Sequence, residues 1–199
     1  VLAYNLFDKG TTNRAAFVKD YVVVDKGGVT VAIVGYIPDY SMDIMAAKIA
    51  PYDIDSDVEK LNAKIADVVK TENPDVVVVL AHDGPSGLAK KLNPELVDLV
   101  VGGHSHTAAF GPADNGIAYI QGNCQAKGYA NAKIQFNTET KKVTVVDPTY
   151  VNTTDKTNIK NLYDTEGNKN LDPELLAISR ASWDAVKGEM SEVLGTVDQ

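Results

Sequence analysis

Two short apolar runs, each followed by histidine, constrain this chain more than any other feature in it. The first is Asp75-Val76-Val77-Val78-Val79-Leu80-Ala81, followed by His82. The second is Leu96-Val97-Asp98-Leu99-Val100-Val101, followed by Gly102-Gly103-His104-Ser105-His106. A strand that is apolar at successive positions, rather than at every second one, is covered on both faces. Ahead of the first run, Val58, Leu61, Ile65, Val68 and Val69 recur at helical spacing, predicting an amphipathic helix over about Ser56 to Glu72. Ser56 and Glu59 stand at capping-box spacing, and Asn73-Pro74 stops the helix. A short polar helix near Ser86 to Leu92 joins the two runs. Strand, helix and strand in this order predict parallel neighbours in a covered α/β sheet.

The flanking sequence adds antiparallel pieces. Val1 to Leu6 reads as a short buried strand. Tyr21-Val22-Val23-Val24 and Val29 to Gly35 flank Asp25-Lys26-Gly27-Gly28, which predicts a hairpin. After the histidines, Gly116 to Gln121, Tyr129 to Phe136 and Val143 to Tyr150 read as an antiparallel meander that closes the sheet or forms a second layer. Residues 151–170 are rich in Asn, Thr, Asp and Lys, as in a linker. Asp172-Pro173-Glu174 then opens a final helix with Leu175, Leu176, Ile178, Trp183, Val186 and Met190 as its apolar stripe. The expected fold is an α/β sandwich: a mixed sheet with parallel strands and an antiparallel meander over residues 1–150, then a linker and helix over 151–199.

Composition narrows the function. The 199 residues are 44% hydrophobic and 23% charged, as in globular domains. A net charge of −8 disfavours a nucleic-acid platform or a basic membrane-binding surface. The apolar runs are too short to span a bilayer. The single cysteine, Cys124, excludes an intramolecular disulfide, and no histidine stands near it at a motif spacing. The chain opens at Val1 inside an expected strand, without methionine or a leader, which suggests a piece of something longer. Asn152-Thr153-Thr154 matches the N-glycosylation pattern.

All three histidines, His82, His104 and His106, follow the ends of the two apolar strands. Side chains beyond the carboxyl ends of adjacent parallel strands converge on one crevice. Three imidazoles there, with glycines allowing close backbone approach, predict a metal site rather than three unrelated loop residues. Asp83, beside His82, is either a partner orienting an imidazole N–H or a solvated loop carboxylate. Ser105 fits a loop role better than that of a nucleophile.

Ala81-His82-Asp83-Gly84 and Gly102-Gly103-His104-Ser105-His106 together resemble the second half of the calcineurin-like metallophosphoesterase motif set. The layout is similar to its 5′-nucleotidase and 2′,3′-cyclic-nucleotide phosphodiesterase branch: Leu2 to Leu6 and Gly28 to Gly35 resemble its strands, and Val193-Leu194-Gly195-Thr196 the approach to its C-terminal nucleotide-binding domain. The resemblance implies a nucleotide phosphohydrolase using two divalent cations, zinc or manganese, bridged by an aspartate and a hydroxide that attacks phosphorus in line. By position, His82 and His104 would ligate one cation and His106 the other. The companion ligands of D-x-H, G-D and G-N-H-E/D, and the proton-handling histidine, would lie upstream of Val1, so no catalytic residue is expected among these 199. Asp83 departs from the small or apolar residue more usual there.

The resemblance therefore implies an active parent, exported, periplasmic or at the cell surface, and an inactive chain in isolation. Two rivals stand beside this reading. One is a non-catalytic module holding a single Zn²⁺ on the same three histidines. The other is a different branch of the superfamily, acting on sulfur-bound or sugar-nucleotide substrates. Sheet surface left bare is expected to drive self-association.

Overall fold

The computed structural model describes residues 1–39, 46–153, 172–193 and 195. The chain divides into two units, Val1–Thr153 and Thr154–Gln199. Most of the expected linker, and Leu194 and Thr196 of the tail, lie outside the described residues.

The first unit is built on a six-stranded sheet. Its strands are β2 (Tyr21–Asp25), β3 (Thr30–Tyr36), β5 (Val76–Ala81), β6 (Leu99–Val101), β8 (Ala118–Gln121) and β7 (Ala109–Pro112), in that spatial order. The middle strands β3, β5, β6 and β8 are parallel, and β2 and β7 close the edges antiparallel. The expected hairpin is the β2–β3 pair, with Tyr21 opposite Val34 and Asp25 opposite Thr30. A mixed α/β sheet with a parallel centre is thus the observed fold class.

Alternation along the strands sorts their side chains onto two faces. Ala32, Val34, Tyr36, Val77, Val79, Ala81 and Val100 meet Leu61, Ile65 and Val68 of helix α2 (Val58–Glu72), and Leu88 and Ala89 of α3 (Pro85–Ala89). Val76, Val78, Leu99, Ala118 and Ile120 face the other way. They meet Ala130 and Ala132 of β9 (Gly128–Phe136) and Val143 and Val145 of β10 (Val143–Asn152), a separate antiparallel pair. Helices, sheet and hairpin form three layers. Leu80 lies beyond the hairpin's cover and is 44% exposed.

Three local expectations are corrected. The opening segment is buried at Ala3, Tyr4, Asn5 and Leu6, but it is extended only as a single bridge at Leu2 and from Leu6 onward. There β1 (Leu6–Asp8) pairs with β4 (Tyr52–Ile54). Ahead of it, successive residues bond to different segments: Ala3 N donates to Lys19 O, Tyr4 N to Gly35 O, and Asn5 O accepts from Asp55 N, while the Asn5 amide donates to the carbonyls of Ile37 and Asp55 and accepts from Ile37 N. The cap of α2 is Asp57, not Ser56: its carboxylate accepts from Glu59 N at 2.9 Å. The expected stop at Asn73 is seen, with φ 45° and its N–H on the Val69 carbonyl. Finally, β8 is not part of an antiparallel meander. It joins the main sheet parallel to β6, and its antiparallel neighbour is β7, which the sequence reading missed. The segments around β9 and β10 do pair antiparallel, with a bulge between Val146 and Thr149 that accommodates Pro148.

In the second unit, helix α4 (Pro173–Met190) is capped by Asp172, whose carboxylate accepts from Glu174 N and Leu175 N. Leu175, Ile178, Trp183, Val186 and Met190 of its apolar stripe are exposed. Among the described residues of the first unit, α2 is preceded by the single-turn helix α1 (Ala46–Ile49). Among the described residues no helix is long and apolar enough to cross a membrane.

Candidate metal centre

Parallel pairing places the carboxyl ends of β5, β6 and β8 along one edge of the sheet. Leu80 pairs with Val101, and Val101 with Ile120. The loop Gly102 to His106 and Gln121 follow directly, and His82 follows one residue later, after Ala81. The ladder continues past the strands, with His82 N donating to Tyr36 O and Gly102 N to Ile120 O.

The two histidine loops are joined by close packing. Gly103 N donates to Asp83 O at 3.1 Å. A Cβ on Gly102 would lie 2.5 Å from Pro85 Cδ, so only glycine permits this approach. Asp83 turns its carboxylate onto Gly84 N at 2.6 Å, which fixes the corner after His82.

The result is an imidazole pair. His104 Nδ1 lies 3.3 Å from His82 Nε2, and the rings meet edge to face with centroids 5.1 Å apart. Two unprotonated nitrogens at this distance repel, so the pair is held by an N–H of one donating to the other or by a cation between them. Bonds of about 2.0–2.1 Å to one ion at a near-tetrahedral angle give about this separation, so the pair fits as two donors to a single divalent cation. His82 and His104 are both exposed, leaving their open side reachable.

His106 is not gathered into the same cluster. Among the described residues no three His, Cys, Asp or Glu side chains lie together as a metal-holding group. His104 and His106 both adopt left-handed backbone, with φ 72° and 55°. Such conformations cost of order 1 kcal/mol or more each and persist only where the surroundings impose them.

One residue on this edge escaped the sequence reading. Gln121 is 1% exposed, and its Nε2 donates to Ser105 Oγ at 2.6 Å and to the Thr107 carbonyl at 2.7 Å. The available signal was a lone amide closing an otherwise apolar strand, Ala118-Tyr119-Ile120-Gln121.

No protein-family model matches the chain. A curated relative, a 5′-nucleotidase of Vibrio vulnificus, is 29% identical over 129 residues, covering 58% of this chain and 23% of the relative. The chain thus spans about a quarter of that relative's length. Among solved structures, a 5′-nucleotidase precursor from Thermus thermophilus matches 98% of this chain and 39% of its own, with TM-score 0.72 and 16% identity. The calcineurin-like phosphoesterase YfkN from Bacillus subtilis matches 75% of this chain and 54% of its own, with TM-score 0.52 and 21% identity. Over the aligned part the chain is similar in sequence to 5′-nucleotidases, and its fold is similar to those of the 5′-nucleotidase precursor and the calcineurin-like phosphoesterase.

Proposed function

We propose that the chain carries part of the metal centre of a nucleotide phosphoester hydrolase of the 5′-nucleotidase or cyclic-nucleotide phosphodiesterase type. The reading rests on the 3.3 Å approach of His104 Nδ1 to His82 Nε2 at the ends of two parallel strands. Its site residues are His82 and His104 toward one divalent cation and His106 toward a second, with Asp83 bracing the loop after His82. When bound, zinc or manganese ions supply positive charge that draws electron density off the phosphoryl oxygens.

The chain's own residues act by placement. The sheet fixes where His82 and His104 begin, and the glycines let their loops touch. The backbone is left-handed at both His104 and His106. The nucleotide is the proposed substrate, and an exported, periplasmic or cell-surface setting is the proposed one. With no third ligating side chain clustered among the described residues, the 199-residue chain alone is proposed to hydrolyse little or nothing.

Calorimetric titration with Mn²⁺ or Zn²⁺, paired with phosphate release from 5′-AMP, tests this. The expected result is cation binding that is lost in His82→Ala and His104→Ala, with no phosphate release above the blank. Binding unaffected by either substitution overturns the metal assignment. An anomalous-scattering map showing one tetrahedral ion on all three histidines supports the single-zinc module instead. Robust turnover by the purified chain overturns the proposed inactivity.

A further inference from the structure

We propose that Gln121 is the positioning residue of the histidine-bearing turn: its buried amide locks Ser105 and Thr107 and so presents His104 to His82. The inference rests on the reading of His82 and His104 as a metal-holding pair, and concerns what holds that pair together.

Both amide hydrogens of Gln121 go to one turn. Nε2 reaches Ser105 Oγ at 2.6 Å and the Thr107 carbonyl at 2.7 Å, and lies 3.3 Å from Thr107 Oγ1. Ser105 Oγ and Thr107 Oγ1 are 3.0 Å apart, so the two hydroxyls extend the same network. The orientation of the amide follows from chemistry. A flipped amide would set Oε1 against the Thr107 carbonyl, acceptor against acceptor.

Packing does not account for this side chain. Gln121 is 1% exposed, and its Oε1 meets no hydrogen-bond donor among the described residues. A buried acceptor left unmet is costly, and a methionine of similar length would fill the space without it. The amide therefore serves the turn it grips. That turn needs gripping, because His104 and His106 on either side of Ser105 hold left-handed backbone that side chains other than glycine seldom adopt. Ser105 and Thr107 are exposed, so without Gln121 their polar groups would be met by water and the turn would relax.

The test uses Gln121→Met, which keeps the length, and Gln121→Asn, which keeps the amide but withdraws it by one methylene. The readout is the nuclear Overhauser contact between the His82 and His104 imidazoles, with circular dichroism as the check on folding. Both variants are expected to fold, to lose that contact, and to bind Zn²⁺ about 10- to 100-fold more weakly, as when partners that orient metal ligands are removed. Retention of the contact in a folded variant overturns the proposal, as does failure of both variants to fold, which would make Gln121 a core residue. If the unsubstituted chain shows the contact but binds no cation, the metal reading falls. Loss of the contact in the variants then still supports the positioning role.

Discussion

Gly102 and Gly103 are adjacent, yet they should respond oppositely to a methyl group. At Gly102 an added Cβ would lie 2.5 Å from Pro85 Cδ and 2.7 Å from Pro85 Cβ and Cγ. Pro85 is fully buried and its ring is rigid, so the backbone must give way by about 0.9 Å to reach the ordinary 3.4 Å limit. That displacement separates the end of β6 from the start of α3, and the two imidazoles are carried on those loops. Overpacking of this kind costs about 1–3 kcal/mol. At Gly103 the nearest atoms to an added Cβ are His82 Nδ1 at 3.5 Å and Ala81 O at 4.0 Å, an ordinary contact. Gly103 is also outside the left-handed region, so alanine there should change stability by less than about 1 kcal/mol, through the stiffer unfolded chain. Urea unfolding followed by circular dichroism measures both variants, and Zn²⁺ titration should show the larger loss for Gly102→Ala. A wild-type midpoint for Gly102→Ala, or an equal loss in Gly103→Ala, refutes the reasoning.

Two further outcomes follow from capping and burial. Asp57→Ala should cost about 1 kcal/mol by removing the cap of α2, whereas Ser56→Ala should cost almost nothing in the same unfolding experiment. Asp98 accepts from Val77 N at 2.8 Å at the start of β6, and burial raises its carboxyl above the ordinary 3.8. The unfolded carboxyl ionises more readily, so the stability of the neutral form is complete below pH 3.8 and is lost as pH rises through the raised value. Asp98→Asn should therefore be the more stable protein at neutral pH, with the gap closing below the ordinary carboxylate value. A gap that stays constant across that range would refute the assignment.

Much of the fold was legible because the relevant signals are local. The apolar run of β5, the Gly-Gly turn of the hairpin and the Leu61, Ile65, Val68 stripe of α2 each report burial within a few residues. The α2 cap slipped by one residue because Ser56 and Asp57 are both capping types, and only the geometry decides between them. Strand β7 was invisible because Ala109-Phe110-Gly111-Pro112 has little β propensity, and its proline is tolerated only because the strand lies at the sheet edge. Partner choice for β8 was equally unreadable, since pairing with β6 is set by the sheet as a whole. At the candidate site, the meeting of His82 and His104 follows from parallel strand ends. That His106 does not join a three-residue cluster with them is decided by the path of the loop, which no spacing rule announces. Gln121 acts on residues 14 to 16 positions away, beyond the reach of any local pattern.

The sole tryptophan of the chain is Trp183, on α4 and 55% exposed. Light absorbed selectively by indole therefore samples the helix of the second unit, and the six-stranded sheet contains no such chromophore. An emission signal that barely moves during denaturation would be compatible with complete loss of the sheet, and a stability drawn from that signal would belong to the wrong part of the molecule. Tyrosine emission, or a tryptophan placed within the first unit, is the optical probe suited to the histidine edge.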